Sequence, residues 1–188
     1  DGTADLAERL EGVKVLRRPG KMGLGTAYVT GFGVVLRDGY ERIGMMDADF
    51  SHDPQVLPLL LGKLETHDVA IGSRYVAGGG VVNWGLHRRL LSKTANTLAR
   101  TILSLRTPDV TTGFRAFRRN VLESIDLPTI KSEGYSFLVE LVYRAQRAGF
   151  SIGEVPIVFK DREKGVSKMS VQEMRQGFLN LLKIRFQR

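Results

Sequence analysis

Two carboxylates, Asp47 and Asp49, follow a short apolar segment with only Ala48 between them. The segment, residues 43–46, predicts a buried strand, so both carboxylates come directly after a strand end. At that position they would face the crevice in which α/β sheets bind ligands. Hard oxygen ligands favour Mg²⁺ or Mn²⁺, and these ions favour a diphosphate. Asp and Ser also commonly cap helices, so the pair alone leaves a solvated turn as the alternative.

Three further segments could bind anions. Lys21 and the segment 23–25 precede a predicted helix, whose free N–H groups could receive a phosphate or a carboxylate. Arg74 ends a predicted strand at the same sheet edge as the carboxylates, where a guanidinium suits a phosphate or sugar hydroxyls. Arg88 and Ser92 are one helical turn apart and share a face. Taken alone, each segment is more typical of a tight turn or a solvated surface than of an anion site.

Two segments later in the chain also mix charge with turn residues. Residues 160–168 are charged, contain a glycine and precede an amphipathic stretch, so they predict either a lid over a phosphorylated ligand or an ordinary surface loop. Residues 111–115 combine turn residues, an aromatic side chain and the cation Arg115. They could contribute to a functional site, or they could form a strand end with an ordinary surface arginine. The sequence has no zinc-site histidine spacing, cysteine nucleophile, P-loop or complete dinucleotide fingerprint.

The elements that would position these residues alternate along the first half of the chain. Periodicity predicts helices at 4–10, 24–37 and 56–66 and strands at 13–16, 42–46 and 69–72. This alternation is typical of an α/β domain with a largely parallel sheet. Further elements are predicted at 86–104 (helix), 111–117 (strand), 118–125 and 135–148 (helices), 155–159 (half-exposed strand) and 170–187 (helix).

Composition narrows the class of protein. The 188 residues are enough for one domain with a substantial core, and 43% hydrophobic with 26% charged residues is typical of a globular protein. There is no cysteine and no apolar run of about 18 residues, so disulfides and a membrane span are not expected in this sequence. The net charge of +8 favours anionic partners: nucleic acid, phosphorylated small molecules or an anionic membrane surface.

The last predicted helix is amphipathic and basic. Its apolar side carries Val171, Met174, Phe178, Leu181 and Leu182. Such a helix could lie in a membrane interface. It could equally pack on the core of the domain. Both interpretations stay open.

Taken together, the segments resemble the polyprenol-phosphate (dolichol-phosphate) mannose synthases, which are inverting nucleotide-sugar glycosyltransferases of the GT-A fold. The similarity runs over nearly the whole chain. It lies in the segments DGT (1–3), KMGLGTAY (21–28), MDADFSH (46–52), IGSRY (71–75), LSKTAN (91–96), TGFR (112–115) and GVSKM (165–169).

The resemblance implies an α/β fold: a GT-A, Rossmann-like mixed sheet flanked by helices. Residues 1–168 would form the catalytic domain, and 169–188 an amphipathic helix that contacts a membrane interface. Members of the family begin with a strand, a helix and a second strand that contribute to the nucleotide pocket. Because this sequence starts at the end of that second motif, we expect the N-terminal strands to be missing from it.

The resemblance also assigns roles to individual residues. Asp47 and Asp49 would bind Mg²⁺ or Mn²⁺, with Ser51 as a third metal ligand; many members carry Gln at that position, and the shorter Ser could act through a bridging water. The donor-binding residues would be Asp1, Lys21, Gly23, Asp47, Asp49, Arg74, Arg162 and Lys168. The acceptor phosphate would lie at Arg88 and Ser92. The catalytic set would be Asp49, Arg74, Arg88 and Arg162.

The implied reaction is transfer of mannose from GDP-mannose to a polyprenyl phosphate. The enzyme would act at the cytoplasmic face of a membrane, as a peripheral or membrane-anchored protein, without nucleic acid as a partner. One alternative is a polyprenyl-phosphate glucosyltransferase that uses UDP-glucose. Another, of a different class, is a non-catalytic basic module that binds nucleic acid. The basic clusters mostly lack interleaved aromatic residues, which disfavours that module.

Overall fold

The computed structural model of the protein describes residues 2–161 and 171–186. The helices in these ranges are α1 (Thr3–Ala7), α2 (Leu24–Arg37), α3 (Leu57–Lys63), α4 (Leu86–Leu103), α5 (Arg119–Ser124), α6 (Tyr135–Arg147) and α7 (Val171–Phe186). The strands are β1 (Arg42–Met45), β2 (Val69–Ser73), β3 (Gly80–Val82), β4 (Arg115–Arg118), β5 (Ile152–Pro156) and β6 (Val158–Lys160). Short 3₁₀ helices lie at Pro54–Val56 and Leu127–Thr129.

The main sheet is mixed. Its strand order is β1-β4-β2-β5, and β3 and β6 form a separate parallel pair. Strand β4 runs antiparallel to both of its neighbours, with Phe117 opposite Ile43 and also opposite Val69, whereas β2 and β5 are parallel. The mixed sheet that the resemblance implied is confirmed. The largely parallel sheet predicted from the alternation alone is wrong, because β4 enters between β1 and β2 in the opposite direction.

The sheet separates two apolar cores. All five residues of β2 are buried, as expected of a strand covered on both faces. Val69 and Ile71 face the main core, which includes residues of α2, α4, α5, α6 and α7. Ala70 and Ala116 face a smaller core with Leu60 of α3. The domain therefore has three layers, with helices on both sides of the sheet.

The N-terminal part departs most from the sequence-based prediction. Residues 13–16, expected to form a strand, have no regular secondary structure, and Val13 and Leu16 are exposed. A strand needs a neighbour for its backbone N–H and C=O groups, and this segment pairs with none of β1–β6. The predicted helix 24–37 is confirmed with its boundaries, and Gly23 before it has a φ of 89°, which favours glycine.

Helix α7 packs against α4 and α6. Leu181 and Ile184 are buried in the main core, whereas Phe178, Leu179 and Phe186 are exposed. One side of the helix thus packs into the main core. Contact of its exposed side chains with a membrane stays a prediction. Over residues 2–161 and 171–186, every helix is too short or too polar to cross a bilayer.

Candidate active site

The carboxylate pair lies in a tight turn immediately after β1. The Asp47 N–H donates to Nδ1 of His52 at 3.0 Å. Asp49 Oδ1 accepts from both the backbone N–H of Ser51, at 3.1 Å, and its hydroxyl, at 2.5 Å. These hydrogen bonds join residues of the turn to one another and so fix its conformation. Both aspartates remain partly exposed at the sheet edge.

Two segments pack against Asp47. A Cβ atom at Gly113 would lie 3.3 Å from Asp47 Oδ1, so the glycine allows the close approach of the two segments. The hydroxyl of Tyr28, on α2, lies 3.5 Å from the same oxygen. Burial, reinforced by the charge of Asp47, raises the pKa of Tyr28 to about 12. Tyr28 therefore stays protonated at neutral pH and directs its hydroxyl hydrogen towards the carboxylate.

The donor set of this turn fits a hard divalent cation. Mg²⁺ is commonly bound by one or two carboxylates together with substrate phosphates. The described part of the chain has no group of three or more His, Cys, Asp or Glu that could hold a metal alone. An ion on Asp47 and Asp49 would therefore need the oxygens of a diphosphate. Ser51 is buried and donates to Asp49, so it orients this carboxylate; direct ligation by Ser51 stays a prediction.

His52 lies behind the carboxylate turn. Its ring stacks on Phe114, with centroids 5.0 Å apart, and meets the edge of Phe159 at 5.5 Å. Burial lowers the pKa of His52; the neighbouring carboxylates of the turn oppose this change and Arg74 reinforces it. A neutral ring is consistent with Nδ1 accepting the Asp47 N–H. His52 therefore positions the turn through one hydrogen bond and two ring contacts.

Arg74 forms a buried ion pair at the end of β2. Its Nε and Nη2 donate to Oδ2 and Oδ1 of Asp109, both at 2.7 Å, and its backbone N–H donates to Oδ2 at 3.0 Å. Nη2 also donates to Thr111 Oγ1 at 2.8 Å. Burial acts to lower the pKa of Arg74, but the hydrogen bonds and charge of Asp109 outweigh it and raise the pKa. Arg74 is thus a fixed cation, and its contact with a donor stays a prediction.

Asn96 connects helix α4 to the loop that carries Asp109 and Thr111. Its Oδ1 accepts from the Val110 N–H at 2.8 Å, and its Nδ2 donates to Thr111 Oγ1 at 3.0 Å. Nδ2 also donates to the carbonyl of Ser92, at 2.9 Å. The buried amide therefore sets the distance between α4 and the segment 109–112.

Arg115 is fully buried, so the expectation of a surface arginine is wrong. Its guanidinium donates to the carbonyls of Thr112, Leu138 and Val110, at 2.9, 2.6 and 2.8 Å. Burial lowers the pKa of Arg115 to about 10, which still leaves it charged at neutral pH. These three bonds join the loop before β4 to α6.

Arg88 and Ser92, the predicted acceptor-phosphate residues, lie beside Arg74. Arg88 Nη1 donates to Asp161 Oδ2 at 2.5 Å, and its guanidinium carbon lies 4.3 Å from the ring centroid of Trp84. Ser92 Oγ accepts from the hydroxyl of Tyr75 at 2.7 Å. The guanidinium carbon of Arg74 lies 5.3 Å from the Tyr75 ring and 5.5 Å from the Trp84 ring. The structure therefore brings Arg74, Arg88 and Ser92 together around two aromatic side chains.

A cavity of about 780 Å³ opens next to this cluster. Its lining combines cationic with apolar side chains: Arg74, Arg89 and Lys93 with Val76, Val81, Leu86 and Leu90. Such a lining suits an anionic group attached to an apolar chain.

Other sequence-predicted site residues lie elsewhere. Lys21 is exposed, and a Cβ on Gly23 would lie 2.8 Å from a carboxylate oxygen of Glu133, so an acidic group already lies close to the start of α2. Asp1, Arg162 and Lys168 lie outside the described residues. The roles of these residues stay predictions.

Sequence reasoning missed several residues that organise the site. Trp84 and Asp109 were not singled out, and Tyr28, His52 and Asn96 were noted only as parts of longer segments, without a role of their own. Some of their partners are distant in the chain: Asp109 is separated from Arg74 by 35 positions and Tyr28 from Asp47 by 19. The one usable signal was that Trp84 is the only tryptophan of the sequence.

The chain was compared with known proteins. Residues 1–126 match the family described as Glycosyl transferase family 2. The polyprenol monophosphomannose synthase of Mycolicibacterium smegmatis is 49% identical over 187 residues, covering 96% of this chain and 71% of that protein. The undecaprenyl-phosphate mannosyltransferase of Micrococcus luteus is 44% identical over 185 residues, covering 96% of this chain and 76% of that protein.

A solved structure shares the fold. The glucosyl-3-phosphoglycerate synthase of Mycobacterium tuberculosis, in complex with Mn²⁺, uridine diphosphate and glucosyl-3-phosphoglycerate, matches with a TM-score of 0.58 and 20% identity. The match covers 90% of this chain and 56% of that chain, so this chain spans a little over half of its length. The fold is that of the GT-A glycosyltransferases. The chain belongs to glycosyltransferase family 2 and is a glycosyltransferase.

The carboxylate turn generates a prediction about metal binding. With Asp49→Asn, we expect Mn²⁺ to bind at least about tenfold more weakly in the presence of GDP, because an amide oxygen carries no charge to offset that of the cation. Calorimetry or the electron paramagnetic resonance of free Mn²⁺ would measure this.

The matched control is Asp53→Asn in the same loop. Asp53 accepts from the Gln55 N–H at the start of a 3₁₀ helix, and Asn caps equally well, so Mn²⁺ affinity should not change. Equal Mn²⁺ affinities of Asp49→Asn and the unaltered protein would contradict the metal assignment.

Proposed function

We propose that the protein transfers mannose from GDP-mannose to the phosphate of a polyprenyl phosphate, with inversion at the anomeric carbon. The observation that carries the proposal is the meeting of two sites of opposite charge. The carboxylates Asp47 and Asp49 and the cations Arg74 and Arg88 are connected through contacts of His52 and two further aromatic rings. The names of the relatives from M. smegmatis and M. luteus support a mannosyl donor and a lipid phosphate acceptor.

On the donor side, Asp47 and Asp49 would hold Mg²⁺ or Mn²⁺ against the diphosphate. When bound, the ion would neutralise the charge that develops on the leaving GDP. The protein supplies the orientation: Ser51 fixes Asp49, while His52 and Tyr28 fix Asp47. These contacts hold both carboxylates in place, so little reorganisation is needed during the reaction.

On the acceptor side, the nucleophile is a phosphate monoester. Its second pKa is about 6, so it is mostly a dianion at neutral pH and needs little help from a general base. The harder task is to bring this dianion close to a second anion. Arg88 and Ser92 would hold the phosphate, with Arg74 as a fixed cation nearby. Asp161 pairs with Arg88, so the acceptor phosphate would replace this carboxylate on the guanidinium.

The alternatives are less well supported. A glucosyltransferase that uses UDP-glucose would have the same fold, but the relatives that share 44–49% identity carry mannosyl names. The solved structure with uridine diphosphate is only 20% identical, so it supports the fold and not the choice of donor. Membership of glycosyltransferase family 2 does not favour a non-catalytic module that binds nucleic acid.

A lipid acceptor requires access to a membrane, and the start of α4 supports a peripheral contact. Leu86 and Leu90, one turn apart, are 83% and 69% exposed. Arg89 and Lys93 lie beside them, and all four side chains line the large cavity. Apolar residues flanked by cations fit the surface of an anionic bilayer. We propose that this surface of α4 contacts the membrane. The lipid tail could then stay in the bilayer while its phosphate reaches Arg88.

The transfer itself is tested with radiolabelled donors. Undecaprenyl phosphate, Mn²⁺ and either GDP-mannose or UDP-glucose are incubated with the protein, and the lipid is extracted. We expect label in the lipid from GDP-mannose, and about a hundredfold less with Arg88→Ala, because the acceptor phosphate loses its cation. The control is Arg119→Ala, which removes a surface pair with Glu123 on α5 and should leave the rate unchanged.

Lipid labelled only from UDP-glucose would contradict the mannosyl assignment. Absence of label from both donors, in a protein that binds Mn²⁺ and GDP, would contradict the assigned acceptor.

Membrane contact is tested with vesicles that contain phosphatidylglycerol, by co-sedimentation without substrates. We expect the double change Leu86→Asp and Leu90→Asp to weaken binding at least about tenfold, since it removes apolar contact area and adds negative charge. Leu59→Asp on α3 is the matched control, because Leu59 is also exposed (61%) but lies away from α4. An equal loss of binding in both variants would contradict the α4 surface.

A further inference from the structure

The only tryptophan of the chain lies beside Arg88, a predicted acceptor-side cation, and Arg74, a predicted donor-side cation. Trp84 is 8% exposed. Its ring centroid is 4.3 Å from the guanidinium carbon of Arg88 and 5.5 Å from that of Arg74. A guanidinium within about 6 Å of an indole centroid is attracted by the negative face of the ring. Trp84 therefore stabilises two like charges that would otherwise repel each other.

This attraction differs from the ion pairs of the same arginines. Arg74 gives two of its in-plane donors to Asp109, and Arg88 gives one to Asp161. A phosphate that binds Arg88 would compete with Asp161 for such donors. It would not compete with Trp84, because the indole contacts the guanidinium through the ring face rather than as a hydrogen-bond acceptor. The orientation of Arg88 can thus persist when its anionic partner changes.

The position of Trp84 is fixed by residues that also reach the carboxylate turn. The edge of its ring meets Phe159, with centroids 5.4 Å apart, and Phe159 contacts His52. His52 in turn accepts the Asp47 N–H. Trp84 therefore packs against Phe159, which in turn contacts the histidine that supports the turn after β1.

We propose that Trp84 is a positioning residue for the acceptor: it orients Arg88 to receive a phosphate monoester. The identity of that phosphate as a lipid phosphate rests on the proposed function. The role of Trp84 predicts a selective effect on acceptor binding, whereas a merely structural role would change stability or affect both substrates alike.

Intrinsic fluorescence gives a direct test, since Trp84 is the only indole. We expect geranyl phosphate, a short acceptor analogue, to change the fluorescence in a saturable way, and geraniol, which lacks the phosphate, to cause no such change. The absence of a saturable response to geranyl phosphate would overturn the proposal. A saturable response in a protein without mannosyl transfer would support the positioning role and contradict the proposed function.

Kinetics of variants give the second test. With Trp84→Leu we expect an acceptor KM about tenfold higher, and with Trp84→Phe about threefold higher, because the benzene ring attracts cations less strongly than indole. The KM for the donor should not change. The matched control is Tyr143→Leu, which removes a ring 5.8 Å from the guanidinium of Arg147 on α6, away from the site. The result that would overturn the proposal is an unchanged acceptor KM, or equal changes in both KM values, in Trp84→Phe.

Discussion

The buried ion pair between Arg74 and Asp109 is the interaction on which the rest of the site depends. Removing two charges from water costs several kcal/mol per ion, and only good geometry with further hydrogen bonds offsets it. The pair has both: two side-chain bonds of 2.7 Å, a third from the backbone and a fourth to Thr111. Loss of one partner would leave an uncompensated charge, at a cost of about 3–5 kcal/mol. The pair thereby fixes the end of β2 to the loop before β4.

The loop before β4 also contacts the other elements of the site. Asn96 connects it to α4, Arg115 connects it to α6, and Gly113 lets it approach Asp47. The donor-side and acceptor-side groups are therefore positioned by one rigid segment. Arg88 differs from Arg74: it is more exposed, and its carboxylate partner Asp161 is also partly exposed. A fixed cation beside an exchangeable one suits a site that must accept a second anion next to a diphosphate.

The local part of this arrangement could be predicted from the sequence. The apolar strand before Asp47, the glycine before α2 and the spacing of Arg88 and Ser92 are all features of neighbouring residues. The resemblance implied a mixed sheet, but the place of β4 between β1 and β2 could not be predicted from periodicity, since strand order depends on contacts far apart in the chain. The burial of Arg115 could not be predicted either: two of its carbonyl partners lie three and five positions away, but the third, Leu138, is 23 positions away on α6, which covers the guanidinium. The segment 13–16 has the composition of a strand, but the structure gives it no strand partner.

The central claim is that a single sheet edge brings the donor and the acceptor phosphate together for one direct displacement. The anomeric configuration of the product tests this claim most directly. The one-bond coupling between C1 and H1 of the mannosyl phosphate, measured by nuclear magnetic resonance on ¹³C-labelled product, distinguishes the two anomers. Attack by the phosphate on the face opposite GDP predicts a configuration inverted from that of the donor. A product with the configuration of the donor would contradict the account.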